Sequence, residues 1–135
     1  MTDDGIPDHV RQFIFKYLDS IELLEALLFL RSSRDKFHTA NDIGDQLRTN
    51  PNSVAKRLIV LVDAGIVKKQ NGENPSYRYH PDHDNLAKII DELAVVYKVR
   101  RHRIYELMYS PLARINSFAD AFRLRPLNSE GDDNG

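Results

Sequence analysis

A short run of amide, hydroxyl and basic side chains lies between Asn52 and Arg57, and further basic side chains follow between residues 68 and 78. Lysine and arginine donate hydrogen bonds to guanine edges and to phosphate, and asparagine can form two hydrogen bonds with an adenine edge. A hydroxyl beside the backbone amides of a helix start suits a phosphate oxygen, because the helix dipole is positive there. These side chains predict contact with a nucleic acid. The candidate residues are Asn52, Ser53, Lys56, Arg57, Lys68, Lys69 and Arg78.

The balance of charges supports this chemistry only locally. The 135 residues include 19 lysines and arginines against 20 aspartates and glutamates, so the formal net charge is −1. Between residues 50 and 80, five basic side chains accompany two acidic ones, which leaves a local charge of +3. Between residues 98 and 125, seven basic and two acidic side chains leave +5. Local charge, more than the total, determines whether a segment attracts phosphate.

Two helices separated by a tight turn would position the first group of candidate residues. Thr39 is a typical cap for a helix that is predicted to extend to about Arg48. Pro51 cannot continue that helix but is favourable in the first turn of the next one, predicted over residues 52–64. Gly65 is expected to end it in the left-handed conformation. The predicted buried stripe of this second helix is Val54, Leu58 and Leu61.

A small β-hairpin is predicted directly after these helices. Residues 66–70 pair with residues 76–80 across NGENP, which begins with the asparagine–glycine turn pattern. Residues 32–38 are predicted to be a polar connection, and further helices are predicted over residues 8–18 and 21–31. The fold class is therefore mainly α with a small β-hairpin. Four regions follow along the chain: an N-terminal arm and helix (1–19), a helix-turn-helix unit with its hairpin (20–81), a C-terminal helical region (82–125) and a disordered acidic tail (126–135).

A long helix is predicted from about Asp84, and its apolar positions follow a heptad spacing. These positions are Leu86, Ile90, Leu93, Tyr97, Ile104 and Leu107, with one charged residue, Arg100, in phase with them. Such a seam either joins two copies of the chain or packs on the N-terminal helices of the same chain. We favour the first interpretation, a homodimer, because a helix of about six turns presents more apolar surface than one small domain covers. A break at residues 110–111 and a shorter helix to about residue 122 are also predicted.

The basic segment 98–125 has several open interpretations. Its arginines could add contacts to a DNA backbone, pair with the acidic N-terminus or bind a small acidic ligand. The preferred interpretation places them on the solvent side of a dimerisation helix, with Phe118 and Phe122 packed beneath.

Other classes of site have little support in the sequence. The absence of cysteine excludes disulfides, thiolate catalysis and zinc sites built on thiolates. His80, His83 and Asp84 lie close together, but further metal ligands would have to come from His38 or His102. Surface histidines are the preferred interpretation, and no metal or cofactor is expected. No phosphate-binding glycine loop, nucleophile elbow or acid–base pair supports catalysis, so the protein is not predicted to be an enzyme.

The apolar runs and the N-terminal residues favour a cytoplasmic protein. The segment MTDDGIPD lacks the basic region of a secretory signal peptide. The apolar segment SIELLEALLFL is interrupted by Glu22 and Glu25 and is shorter than a membrane span.

Residues 43–79 resemble the winged helix-turn-helix domain of bacterial transcription regulators, the broad class that includes the MarR and ArsR families. The resemblance rests on DIGDQL, a three-residue turn and PNSVAKRLIVLVDAGIVKK. In that class the second helix enters the major groove, and the hairpin, called the wing, contacts phosphate or the minor groove. The resemblance implies that residues 52–64 form the groove helix, with Asn52, Ser53, Lys56 and Arg57 as readers, and that residues 68–78 form the wing. It implies a homodimer that binds specific sequences of double-stranded DNA and regulates transcription, with any small-molecule effector unknown.

A second interpretation belongs to another class of function. Winged helices also serve as protein-interaction modules, and a nearly neutral chain with a long apolar helix fits an adaptor or assembly subunit that binds no nucleic acid.

Overall fold

The computed structural model describes residues 5–110, which form five helices and a three-stranded antiparallel sheet. In chain order the elements are α1 (Asp8–Tyr17), α2 (Ile21–Ser32), β1 (His38–Thr39), α3 (Ala40–Leu47), α4 (Pro51–Asp63), β2 (Val67–Gln70), β3 (Ser76–Tyr79) and α5 (Asp84–Tyr109). The predicted fold class, mainly α with a small β-hairpin wing, is confirmed. The short strand β1 was missed, because two residues carry too little pattern. The predictions for residues 111–135 lie outside the described residues.

The helix α2 forms the centre of the core, because its side chains are apolar on nearly every side. Ser20 caps it by accepting a hydrogen bond from the Leu23 N–H at 3.1 Å. α2 packs against α3, α4, α5 and β3. Its buried side chains are Leu23, Leu24, Ala26, Leu27 and Leu30. Burial stabilises a leucine side chain by roughly 1.5–3 kcal/mol relative to exposure, so α2 unites the helix-turn-helix and α5 on one core.

Local side-chain hydrogen bonds fix where α3 and α4 begin. Thr39 and Asp42 form a reciprocal capping box at the start of α3, in which each side chain accepts from the other residue's N–H at 3.1 Å. Asn50 caps α4 by accepting from the Asn52 N–H at 2.7 Å. Both helices therefore begin at residues whose side chains supply the hydrogen bonds that the first backbone amides lack.

The turn between α3 and α4 depends on a left-handed residue and a close backbone approach. Arg48 ends α3 with φ 58° and ψ 49°. The Thr49 N–H donates to the Gly44 carbonyl at 2.9 Å, and a Cβ on Gly44 would lie only 3.0 Å from the Thr49 carbonyl oxygen. Glycine at position 44 therefore allows the turn to fold back closely against α3.

The sheet has the strand order β1-β3-β2, so the last strand in the chain is the central one. Val67 in β2 pairs with Tyr79 in β3, and His38 in β1 pairs with Tyr77 on the other side of β3. Gly65 precedes β2 with φ 77°, which confirms the predicted left-handed end of α4. The hairpin is thus anchored through β1 to the chain just before α3.

The helix α5 lies against α1 and α2 of its own chain. Its heptad seam faces this intramolecular contact: Ile90, Leu93 and Ile104 have no exposed surface, and Leu107 is 6% exposed. Leu86 and Tyr97 are half-buried. The structure therefore shows the second arrangement expected from the heptad pattern, packing within one chain. Leu86 and Tyr97 keep part of their surface accessible to a second copy, whereas the four buried residues do not.

A kink divides α5 at Arg100, whose φ of −132° and ψ of 44° are not helical. A regular helix would place this charged residue on the buried face, whereas the side chain is exposed and lies against Gly5, which has φ 78°. The hydroxyls of Tyr97 and Tyr105 bridge the kink at 2.9 Å. Burial and this hydrogen bond raise the pKa of Tyr97 to about 12.

Candidate nucleic-acid interface

One face of α4 is exposed along its whole length, opposite the buried stripe formed by Val54, Leu58 and Leu61. The helical period brings its exposed residues onto a single surface, which we call the α4 face. They are Asn52, Lys56, Ile59, Val60 and Asp63. The α4 face thus combines one amide, one cation and two apolar side chains, with an acid at its far end. Amide and ammonium groups donate to base edges, and apolar groups contact thymine methyls.

Two predicted readers, Ser53 and Arg57, lie on the flank of α4 that packs toward α2. Both are half-buried and donate to the carboxylate of Glu22 in α2: the Ser53 hydroxyl to Oε1, and the Arg57 Nε to the same oxygen at 3.2 Å. The Thr49 hydroxyl donates to the other carboxylate oxygen, Oε2. Glu22 thus gathers three donors from the turn and from α4. The four predicted DNA-contacting residues of α4 therefore fall into two pairs. Asn52 and Lys56 are exposed, whereas Ser53 and Arg57 are hydrogen-bonded to Glu22.

The role of Glu22 was not anticipated from the sequence. Its side chain is only 19% exposed, and burial raises the pKa of its carboxyl. The hydrogen bonds from Ser53, Thr49 and Arg57, together with the charge of Arg57, outweigh burial, so the net pKa lies below the ordinary value of 4.5. A signal was present in the sequence, because a carboxylate near the start of an otherwise apolar helix requires polar partners.

The basic residues of the wing lie on two faces of the sheet. Lys68 and Arg78 are directly paired across β2 and β3 and therefore share one face. Lys69 pairs with Tyr77 on the opposite face. Arg78 is also bonded to the loop between α2 and β1, since its Nε donates to the Arg34 carbonyl at 3.0 Å. All three basic side chains are exposed, but only Lys69 shares the face that carries Tyr77.

A small cleft of about 180 Å³ joins the starts of α3 and α4 to the base of the wing. Its lining is neutral: the residues are Thr39, Ala40, Asn41, Pro51, Asn52, Ala55, Asn74, Pro75 and Tyr77. Asn52 at the start of the α4 face and Asn74 at the wing thus border the same space. The cleft therefore lies between the start of the α4 face and the base of the wing, and Tyr77 is the strand residue of the wing in its lining.

The histidines predicted to be surface residues are exposed at positions 80 and 83, as is Asp84. The other two candidate ligands have different partners, because His38 bonds the Ser33 hydroxyl at 3.0 Å and His102 pairs with Glu106 at 3.2 Å. No group of three histidines or acidic residues within residues 5–110 could hold a metal ion. No helix in the same range is long and apolar enough to cross a membrane.

Comparison with solved structures identifies similar folds. MepR, a transcription regulator of the Staphylococcus aureus multidrug efflux pump MepA, is similar with a TM-score of 0.52 and 13% sequence identity, over 87% of this chain and 85% of MepR. A mutant of S. aureus MepR bound to an oligodeoxyribonucleotide gives 0.48 and 13% identity, over 87% and 88%. A mutant of Lactococcus lactis ZitR gives 0.41 and 14% identity, over 90% and 76%.

No protein-family model matches the chain, and no curated protein matches it. At 13% identity, the similarity to MepR establishes the architecture alone. It does so over most of both chains, so the resemblance predicted from residues 43–79 is confirmed as a resemblance of fold. The chain has the winged helix-turn-helix architecture of the transcription regulator MepR.

Proposed function

We propose that the protein binds double-stranded DNA and regulates transcription, with α4 in the major groove and the wing on the backbone. The observation that carries the proposal is the exposed α4 face, which presents Asn52 and Lys56 and begins beside the neutral cleft at the base of the wing. An α-helix with its side chains is about 10–12 Å wide, which suits a major groove about 12 Å wide. The similarity of fold to the regulator MepR adds support.

Each predicted residue has a place in this proposal. Asn52 contacts base edges and Lys56 contacts a phosphate at the border of the groove, since both are exposed on the α4 face. Lys69 contacts the backbone from the side of the sheet that faces the cleft, and Lys68 and Arg78 contact flanking phosphates from the other side. The sequence-predicted readers Ser53 and Arg57 donate to Glu22, so we place neither of them among the direct contacts with DNA.

Binding by one copy would be weak, because few cations are available for phosphate and affinity falls steeply with salt. A homodimer doubles the contacts and reads two half-sites. The exposed residues Val95 and Val99 lie one turn apart on α5 and are 62% and 70% exposed. We propose these two side chains, in place of the buried heptad seam, as the centre of a contact between two copies.

A charge reversal on the α4 face tests the proposed function. We expect the unmodified protein to bind mixed genomic fragments at about 50 mM salt, and Lys56→Glu to weaken binding at least about tenfold, because one attraction is replaced by a repulsion. Lys88→Glu makes the same change at an exposed residue of α5. It is the matched control and should bind DNA normally. Electrophoretic mobility shifts measure both. No binding by the unmodified protein at this salt concentration would refute the proposal.

Two charges on the outer face of α5 test the dimer. Val95→Glu/Val99→Glu should sediment as a monomer with an unchanged circular dichroism spectrum, because both side chains are exposed in the single chain. Lys56→Glu should keep the mass of the unmodified protein, since its charge lies on α4. An unmodified protein that already sediments as a monomer would contradict the dimer proposal.

A second candidate function is supported by Ile59 and Val60, which are 55% and 39% exposed on the α4 face. Adjacent exposed apolar residues also suit a protein partner, as in an adaptor that binds no nucleic acid. The mobility-shift experiment distinguishes the two functions, because the adaptor hypothesis predicts no salt-dependent affinity for DNA.

A further inference from the structure

The carboxylate of Glu22 connects the first turn of α2 to both parts of the segment that presents the α4 face. Thr49 donates to it from the turn, whereas Ser53 and Arg57 donate from α4. Ser53 and Arg57 are four residues apart, so they lie one above the other on the same side of the helix. Rotation of α4 about its axis would break both bonds at once. Together with the buried stripe of Val54, Leu58 and Leu61, the contact therefore fixes which side of α4 faces outward.

The same contact removes a positive charge from the surface offered to DNA. The Arg57 side chain is 33% exposed, and its Nε forms an ion pair with Glu22 at 3.2 Å. Moving Arg57 to a phosphate would leave the carboxylate partly buried without its cation, which is unfavourable. Lys56, the neighbouring cation, is exposed and forms no ion pair within the described part of the chain. The two adjacent basic residues are thus inequivalent.

We propose that Glu22 is a positioning residue that holds Ser53 and Arg57 against α2 and so leaves Asn52 and Lys56 as the polar side chains of α4 that contact DNA. This inference rests on the proposed function. In addition, Glu22 itself lies outside the DNA surface, yet it determines which of the four candidate residues contact DNA. Removing the charge of Glu22 releases Arg57 and adds a cation to the α4 face.

The salt dependence of DNA affinity tests the inference, because it counts phosphate contacts. Each contact contributes about 0.9 to the slope of log affinity against log salt. Fluorescence anisotropy with labelled mixed-sequence duplex DNA should show a slope shallower by about 0.9 per bound protomer for Lys56→Gln and an unchanged slope for Arg57→Gln. Glu22→Gln should steepen the slope by up to about 0.9 per bound protomer, and Glu22→Gln/Arg57→Gln should restore the original slope.

Several outcomes would overturn the inference while leaving the proposed function intact. A slope that becomes shallower for Arg57→Gln would show that Arg57 already contacts DNA. An unchanged slope for either Lys56→Gln or a folded Glu22→Gln would show that Glu22 does not select between the two cations. Arg57→Gln and Lys56→Gln test the selection independently of whether Glu22→Gln folds well. No binding by the unmodified protein refutes the proposed function itself, and this inference with it.

Discussion

Ile90→Glu is expected to unfold the protein rather than to dissociate a dimer. Ile90 has no exposed surface and lies on the side of α5 that packs within the chain. A carboxylate there would be buried without a partner, which costs several kcal/mol. Since small domains are stable by only about 5–15 kcal/mol, we expect a loss of about 4 kcal/mol or more. Urea denaturation followed by far-ultraviolet circular dichroism measures the change.

A conservative change at the same position provides the control. Ile90→Val removes one methylene and should cost only about 0.5–1.5 kcal/mol, while Lys88→Glu on the exposed side of the helix should have little effect. If Ile90→Glu instead remained folded but sedimented at half the mass of the unmodified protein, the seam would be an interface between two copies.

Glu22→Gln is expected to destabilise the protein at neutral pH and much less in acid. The carboxylate accepts hydrogen bonds from Thr49, Ser53 and Arg57, and bonds to a charged acceptor contribute roughly 1.5–3 kcal/mol. A loss of about 2 kcal/mol at pH 7 follows if the amide retains part of the bonding. Because the pKa of Glu22 in the folded protein lies below 4.5, its contribution is complete above that pH and is lost as the pH falls through the folded value.

Urea denaturation of both proteins at pH 7 and at successively lower pH values tests the linkage. The difference in free energy of unfolding between the unmodified protein and Glu22→Gln should shrink below pH 4.5. Asp45→Asn, on the exposed side of α3, controls for the loss of a carboxylate elsewhere. A difference that stays constant through this range would show that the charge of Glu22 contributes nothing to stability.

The elements of the helix-turn-helix could be predicted because their signals are local. Thr39 and Asn50 lie within three residues of the backbone amides that they cap, and Gly65 ends α4 through its own conformation. The wing follows from an asparagine–glycine turn between two short extended segments. Each of these features depends on a few consecutive residues, so one sequence is sufficient to identify it.

The contacts that select the exposed residues of α4 could not be predicted in the same way. Glu22 meets Thr49 across 27 positions of the chain and Arg57 across 35. The periodicity of α4 separates a buried stripe from the rest, but Ser53 and Arg57 lie on its flank, where only the position of α2 decides their partners. Two adjacent cations, Lys56 and Arg57, therefore look equivalent in the sequence and are not equivalent in the fold.

The heptad pattern of α5 illustrates a different limit of prediction from sequence. It correctly identifies an apolar stripe, but the stripe carries no information about whether the chain itself or a second copy covers it. The helices α1 and α2 cover it here. The charged residue Arg100 was visible as an exception within the pattern, and the kink at this position explains how the helix accommodates it.

The central position of β3 makes the wing one side of a closed mechanical loop. Ser76 pairs with Gln70 across the hairpin and with Thr39 on its other side, and Thr39 also caps α3. A force on the wing tip is therefore transmitted through the sheet to the start of α3, and through the turn after α3 to α4. A partner that binds the wing therefore also acts on the cap of α3. The wing and the α4 face respond together and not as two separate contacts.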